Sequence, residues 1–317
     1  MIYGCWWRLL VIRHQQIFYF TLTHQPSIYR SRRHMDFNPE NPEELNALNN
    51  LHVSYDPRFV GRELDLHKSF WTVITSRSNE ENDRIYDAFE DARGGTHYGT
   101  DTAKGFFLNA FNDKGANVAA AGPARAYIID RFYRDLLAPK NSHKLVVVFT
   151  AGGPGSGKSE SIKQGLVNVE QSLVFDSTLT NLDRAVQLIQ AALDSERGVF
   201  LAYVHRPVEG AMRFAIERAE KKGMYVSPER LGEDHWKAQI NLFALEKHFR
   251  GDEAVEISVY DNRGQLEELE KIEKGIAFFH DPANLSEKYD SLESTIQRAV
   301  KADNGEIARR FEQRALN

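Results

Sequence analysis

Cysteine is almost absent from this chain. Among 317 residues there is a single cysteine, Cys5. One thiol excludes an intrachain disulfide framework and a cysteine-based zinc cluster. Such sparse use of cysteine is typical of proteins in a reducing compartment, so we expect a cytoplasmic location.

Acidic residues are missing from the first 34 positions. Five of the 40 basic residues lie there, so the remainder holds 35 basic against 45 acidic residues, a net charge of −10. A protein region with this net charge repels a polyanion unless it carries a local basic groove. Nucleic acid is therefore a disfavoured partner.

The same basic segment lacks an apolar run long enough to cross a membrane. Its longest run, residues 17–22, is far shorter than the ~20 residues that span a bilayer. No small-residue cleavage site follows it, as a signal peptide would require. We expect no membrane span and no defined structure in residues 1–34, with a membrane-surface anchor as the alternative. The residues after Met35 look like an ordinary cytosolic N-terminus, so we predict Met35 as the natural start.

The rest of the chain is long enough for a large hydrophobic core, and we expect two domains. Residues 35–143 are predicted to be mostly helical, with helices at 80–92 and 124–137. Between these helices, residues 94–101 predict a surface turn that leads into aromatic core residues. The alternative for this turn is a wall of the substrate site, with His97 or Asp101 reaching in.

The clearest motif fits the Walker A pattern G-x-x-x-x-G-K-[ST]. It consists of Gly152, Gly153, Pro154, Gly155, Ser156, Gly157, Lys158 and Ser159. An apolar run precedes it at residues 145–149 and a helix-compatible segment follows at 160–166, which is the strand–loop–helix context of a P-loop. Backbone N–H groups and the start of the helix are expected to cradle phosphate oxygens. Lys158 then contacts the β- and γ-phosphates and Ser159 binds Mg²⁺, so the motif predicts binding of a nucleoside triphosphate.

Strands and helices alternate after residue 144, as in a parallel α/β sheet. The candidate strands are residues 145–150, 173–176, 199–205 and 255–260. The candidate helices are residues 158–169, 182–193, 208–222 and 233–248, the second of them capped by Asn181. Short apolar strands predict a sheet that helices cover on both faces. We therefore expect a kinase-like P-loop NTPase core at 144–264, between the helical region and a C-terminal helical region at 265–317.

Asp176 is the second candidate site residue, because it ends the strand that follows the P-loop helix. Ligands of parallel sheets bind beyond the carboxyl ends of the strands, which places Asp176 at the edge that carries the P-loop. A carboxylate there serves as the base for an attacking hydroxyl or as the acid that holds Mg²⁺ through its water shell. A third interpretation is the N-cap of the next helix.

Together these residues resemble the zeta-toxin family of P-loop kinases, whose founding members phosphorylate a hydroxyl of UDP-N-acetylglucosamine. Residues 174–178 match the family's apolar-apolar-Glu-Gly-Thr segment, with Asp176 at its substrate-binding glutamate and Thr178 at its threonine. Arg218 matches an arginine on the helix after the following strand, and His235 matches a histidine downstream of a proline-containing turn. The resemblance implies ATP and Mg²⁺ as cofactors, a small-molecule acceptor and an antitoxin protein as partner.

The match spans about residues 144–262 and departs from the family in two places. The family has an extra strand, ending in the catalytic-base aspartate, between the P-loop helix and the Glu-Gly-Thr strand. That strand is missing here, so either Asp176 or Asp101 is the base, or the protein is a poor kinase. The family's second lid arginine falls near Met224, and Arg230 is the nearest substitute.

We interpret the chain as an ATP-dependent small-molecule kinase. Lys158 bridges the β- and γ-phosphates, Asp176 binds and deprotonates the acceptor hydroxyl, and Arg218 stabilises the charge on the transferred group. Two alternatives belong to other functional classes. One is an ATPase or nucleotide-dependent switch that regulates a protein partner, and the other is a polynucleotide kinase.

Overall fold

The structure is a computed structural model that describes residues 7–13, 16–22 and, apart from short gaps, 57–309. The gaps are residues 108–109, 112–113, 164–170 and 264–269. The predicted start at Met35 lies outside the described residues, and so does the second half of the helix predicted at 158–169. The division into regions at residues 144 and 264 stays a prediction.

A two-stranded ladder occupies part of the N-terminal extension. Strand β1 (Trp7–Arg13) pairs antiparallel with β2 (Gln16–Leu22), and Trp7 lies opposite Leu22. We had expected no defined structure there. Both segments are rich in β-branched, aromatic and leucine residues and are only two residues apart, a spacing that favours a hairpin.

A six-stranded sheet forms the centre of the molecule. Its strands are β3 (His97–Gly99), β4 (Val146–Ala151), β5 (Ser172–Asp176), β6 (Gly198–His205), β7 (Val255–Asp261) and β8 (Glu270–Lys271). They lie in the order β3-β5-β4-β6-β7-β8, all parallel except β8, which runs antiparallel to β7. All six residues of β4 are buried, as expected for a strand with helices on both faces. The predicted class, a kinase-like P-loop α/β fold, is confirmed.

Nine α-helices are described by the structure. They are α1 (Gly61–Thr75), α2 (Asn79–Asp87), α3 (Thr100–Ala103), α4 (Lys114–Leu137), α5 (Lys158–Lys163), α6 (Leu182–Asp194), α7 (Val208–Lys222), α8 (Pro228–His248) and α9 (Leu292–Asp303). None of the helices in these described ranges is long and apolar enough to cross a membrane. The bounds of α7 agree with the prediction, and Asn181 caps α6 as predicted, accepting from the Arg184 N–H at 2.8 Å. Helix α8 begins five residues earlier than predicted, because Ser227 caps it and Pro228 opens it.

Strand β3 corrects our interpretation of residues 94–101. We predicted a turn there, but residues 97–99 pair parallel with β5, with Gly99 opposite Asp176. The sheet therefore has a further strand beyond β5, and it comes from before the P-loop. The side chain of Tyr98 is fully buried and packs edge-on against Phe132 of α4, with ring centroids 5.3 Å apart. A segment of three residues is too short to show the alternation of polar and apolar residues that predicts a strand. Only this tertiary packing makes these residues a strand.

A buried ionic network joins the helical region to the sheet edge. Arg131 of α4 is fully buried, and its guanidinium lies 2.6 Å from Asp87 Oδ1 and 3.1 Å from Asp135 Oδ2. The Tyr98 hydroxyl donates to the same Asp135 oxygen at 3.0 Å. Helices α2 and α4 are thus linked to β3 through one cation.

We predict that Arg131→Met lowers the free energy of unfolding by about 3 kcal/mol, because among the described residues the buried carboxylate of Asp135 then keeps only the exposed Lys140 as a countercharge. Urea denaturation followed by circular dichroism measures the change. Arg250→Met is the matched control, since Arg250 is exposed in a surface pair with Glu246 and its loss should leave the free energy of unfolding nearly unchanged. Equal losses in the two variants would contradict the prediction.

Candidate active site

The P-loop follows β4 and is shaped by the two helices that press on it. Gly155 has a φ of +77°, and a Cβ there would overlap the backbone carbonyl of Ala211 in α7. A Cβ on Gly153 would overlap the imidazole of His235 in α8. Glycine is therefore required at both positions, for backbone conformation at the first and for space at both.

Lys158 is buried inside the loop that it belongs to. Its Nζ donates to the carbonyls of Gly152 and Gly153 at 2.8 and 3.0 Å, and the residue is 8% exposed. Burial lowers the pKa of Lys158, although the carboxylates of Asp176 and Asp101 oppose this change. A phosphate in the loop would offer the ammonium a charged partner in place of two neutral carbonyls.

Asp176 is held between two hydroxyl groups. Its Oδ1 accepts from Thr150 Oγ1 and its Oδ2 from Ser159 Oγ, both at 2.9 Å. Thr150 lies opposite Asp176 in the pairing of β4 and β5, so the sheet register sets the first contact. The N-cap interpretation of Asp176 is wrong, because Asn181 caps α6.

The donor set around Ser159 suits a magnesium ion. The Ser159 hydroxyl is exposed at the start of α5 and adjoins a carboxylate oxygen of Asp176. Mg²⁺ prefers hard oxygen ligands of this kind and keeps several waters when it binds beside phosphates. The glycine-lined loop and the buried ammonium of Lys158 add the matching phosphate site, so these residues fit a Mg²⁺–nucleotide complex.

The loop after β5 carries Thr178, the second predicted substrate-binding residue. The Thr178 and Thr180 hydroxyls lie 3.3 Å apart. Between them, Leu179 has a φ of +55°, and its carbonyl accepts from Asn241 Nδ2 of α8 at 2.5 Å. A non-glycine residue in the left-handed region costs free energy, so α8 holds this loop in a defined conformation.

Asp101 and Arg218 meet on the β3 side of the site. Arg218 Nη2 lies 3.5 Å from Asp101 Oδ2, and Lys104 Nζ donates to Asp101 Oδ1 at 3.0 Å. The ammonium of Lys104 holds the pKa of Asp101 well below its usual range, with further contributions from Arg218 and Lys158. The Nε of Arg218 is buried and has no hydrogen-bond partner among the described residues. Arg218 thus pairs with a carboxylate of the candidate site.

Arg230, the suggested substitute for a lid arginine, is engaged at the start of α8. Its guanidinium lies 3.3 Å from Glu233 Oε2 and 2.9 Å from Asp234 Oδ1. Asp234 is 6% exposed, and burial raises the pKa of its carboxyl group. Arg230 therefore neutralises the buried carboxylate of Asp234, which adjoins His235 in α8.

His235 supports the P-loop from behind. Its Nε2 lies 2.9 Å from the Pro154 carbonyl, which can only accept, so this nitrogen carries the proton. Its Nδ1 lies 3.2 Å from the Tyr289 hydroxyl. Burial lowers the pKa of His235 to about 3, and the imidazole is neutral at physiological pH. The sequence offered no signal for Tyr289, which joins the site only through tertiary packing.

Asn262 supports the loop from the other side, and sequence reasoning missed this role. Its Nδ2 donates to the Ser156 carbonyl at 2.7 Å, and its backbone N–H donates to His205 O at 2.9 Å. Arg206 Nε in turn donates to the Asn262 carbonyl at 2.8 Å. The available signal was position, because Asn262 directly follows a strand at the ligand-binding edge of the sheet.

A protein-family model matches this part of the chain. Residues 160–270, about a third of the sequence, match the zeta-toxin family model, and the match begins directly after the P-loop. The resemblance to the zeta-toxin family is thereby confirmed. The chain carries a zeta-toxin-like region of the kinase-like, nucleotide-binding type.

No curated protein matches the chain. Among solved structures, the crystal structure of AvrRxo1-ORF1:AvrRxo1-ORF2 with sulphate ions matches with a TM-score of 0.39 and 10% identity. That match covers 87% of this chain and 96% of the other.

We predict that folding stability falls by about 2 kcal/mol from pH 6.5 to pH 5 through His235 alone. Its pKa is about 3 when folded and about 6.5 when unfolded, so acid protonates the unfolded state first. Chemical denaturation at several pH values measures the slope. In His235→Gln, which keeps an N–H donor for Pro154, the slope should be shallower. An unchanged slope in that variant would contradict the assignment.

Proposed function

We propose that this protein is an ATP-dependent kinase that transfers the γ-phosphate to a hydroxyl of a small, anionic metabolite. The observation that carries the proposal is the contact of Asp176 with Ser159 and Thr150 beside a buried P-loop lysine. These groups suit a Mg²⁺–nucleotide complex. Asp101 and Arg218 add a second carboxylate and a cation on the adjacent side.

ATP binding follows from the loop itself. The backbone amides of residues 153–159 cradle the phosphates, and Lys158 leaves its two carbonyl partners to contact the β- and γ-phosphates. Ser159 and Asp176 would hold Mg²⁺, with Asp176 as the magnesium-associated acid. When bound, the ion neutralises charge that develops on the phosphate oxygens.

The two carboxylates have different roles in our proposal. The sequence left Asp176 as either base or magnesium-associated acid, and its contact with Ser159 favours the second role. Asp101 is then the base. The acceptor oxygen attacks the γ-phosphorus, the bond to the β–γ bridging oxygen breaks, ADP leaves, and the hydroxyl proton passes to Asp101. A weak base is sufficient, because the transition state of phosphoryl transfer is loose.

Arg218 and Thr178 complete the proposed site. Arg218 exchanges its contact with Asp101 for the oxygens of the transferred group, and its unpartnered Nε provides a further donor. The hydroxyl of Thr178 contacts the acceptor. UDP-N-acetylglucosamine is the first acceptor to test, since the family resemblance points to it.

A protein partner and a cellular location complete the proposal. The zeta-toxin resemblance supports a toxin that an antitoxin protein inhibits in the cytoplasm. The single cysteine agrees with a reducing compartment.

We predict that γ-labelled ATP transfers label to one member of a metabolite panel that includes UDP-N-acetylglucosamine. Lys158→Ala should reduce kcat/KM on the order of 10³-fold, because it removes the charge that contacts the β- and γ-phosphates. The control is Lys221→Ala, an exposed lysine paired with Glu217, which should transfer label at the normal rate.

Two other results would redirect the assignment. Label released only as free phosphate, whatever the panel contains, would refute the small-molecule kinase and favour the ATPase or switch. Label in an oligonucleotide included in the panel would favour the polynucleotide kinase.

We predict that the two carboxylates differ in their magnesium dependence. Asp176→Asn should raise the Mg²⁺ concentration for half-maximal activity by about 10- to 100-fold, since it removes the charge behind Ser159. Asp101→Asn should lower kcat by about 10²- to 10⁴-fold without changing that concentration. Magnesium titrations of both variants measure the difference. The opposite pattern would return the role of base to Asp176.

A further inference from the structure

Strand β3 lies at the edge of the sheet, and half of its backbone groups face away from β5. The Thr96 carbonyl accepts from the Val174 N–H at 2.9 Å, so residue 96 points towards β5. Because the direction alternates along a strand, the His97 carbonyl and the Gly99 N–H point outwards. Both residues are buried, so water does not satisfy these groups.

One side chain satisfies both outward groups. The Tyr86 hydroxyl donates to the His97 carbonyl at 2.7 Å and accepts from the Gly99 N–H at 3.0 Å. In a parallel ladder, a single residue of the neighbouring strand bonds to just such a pair, the carbonyl of one residue and the N–H two positions later. Tyr86 thus replaces a missing outer strand with one oxygen atom.

The position of the Tyr86 hydroxyl is itself set by packing. Tyr86 is fully buried, and its ring lies 5.5 Å from the Tyr127 ring between centroids. The Arg131 guanidinium lies over the Tyr86 ring at 5.1 Å. Packing around the Tyr86 ring therefore fixes the position of its hydroxyl next to β3.

The carboxylate of Asp101 depends on this end of the strand. Gly99 is both the last residue of β3 and the N-cap residue of α3, and no side chain caps that helix. Asp101 lies two residues further on, in the first turn of α3. A backbone held at Gly99 fixes where the Asp101 side chain begins.

We propose that Tyr86 is a positioning residue for phosphoryl transfer, which holds the end of β3 so that Asp101 faces the acceptor hydroxyl. This inference rests on the proposed function for the role of Asp101. Tyr86 contacts neither nucleotide nor acceptor in this proposal, and it acts through the backbone of Gly99.

The backbone contact is tested first on the protein alone, by hydrogen exchange with residue resolution. In the wild type, the Gly99 amide should be as protected as the amides of β5, despite its place at the sheet edge. In Tyr86→Phe, exchange at Gly99 should accelerate at least tenfold. Tyr127→Phe is the matched control, because it removes an equally buried hydroxyl that contacts Asp83 and Arg131 instead. Its Gly99 amide should exchange as in the wild type.

The functional link is tested by a double-mutant cycle with the acceptor identified in the labelling assay. Tyr86→Phe should lower kcat by about 10- to 100-fold, the size expected from a displaced catalytic group, and leave the KM for ATP unchanged. In the Asp101→Asn background, the same substitution should change kcat less than threefold. Tyr127→Phe should keep the wild-type kcat.

The outcomes test the positioning role of Tyr86 separately from the proposed kinase activity. An unprotected Gly99 amide in the wild type would overturn the proposal even if Tyr86→Phe failed to fold. An undiminished effect of Tyr86→Phe on kcat in the Asp101→Asn background would also overturn it. Absence of transfer to every acceptor would instead refute the proposed kinase, and the exchange data would still decide whether Tyr86 holds β3.

Discussion

The parallel alignment of the strands is the constraint on which the candidate site depends. It brings the carboxyl ends of β3, β5, β4 and β6 to one edge, where the P-loop, Asp176 and the start of α3 with Asp101 lie side by side. The register then adds the finer contacts, since Thr150 and Gly99 both lie opposite Asp176 from the two neighbouring strands. A shift of β5 by one residue would turn the Asp176 side chain to the other face of the sheet and away from Thr150.

Burying several charged groups at one site costs free energy, so the surrounding structure has to stabilise the site. The buried ammonium of Lys158 donates to two neutral carbonyls, and Asp101 is shared between two cations. The support comes from residues outside the charged cluster. Helix α8 contributes His235 behind the loop, and the residue after β7 contributes Asn262 in front of it. The P-loop is thereby held in shape before a nucleotide enters, which is the condition for electrostatic catalysis.

Local sequence patterns predicted most of the elements after residue 144. The strands around the P-loop, the bounds of α7 and the cap at Asn181 follow from apolar runs, periodicity and capping chemistry. These signals are local, because a buried strand or a capped helix records its environment in consecutive residues. The prediction failed where the segment was too short to carry such a pattern. Residues 97–99 read as part of a turn, and only Tyr98 packing on α4 and pairing with β5 makes them a strand.

The sequence by itself determined that this chain has a P-loop, a parallel sheet around it and a carboxylate at the end of the next strand, because each is written in contiguous residues. Tertiary structure alone decided which groups meet Asp176, that Asp101 pairs with Arg218, and that Tyr86 completes the edge of the sheet. These contacts join residues up to 117 positions apart in the chain. Sequence spacing does not specify such partners, since they are set by how helices and strands pack against each other.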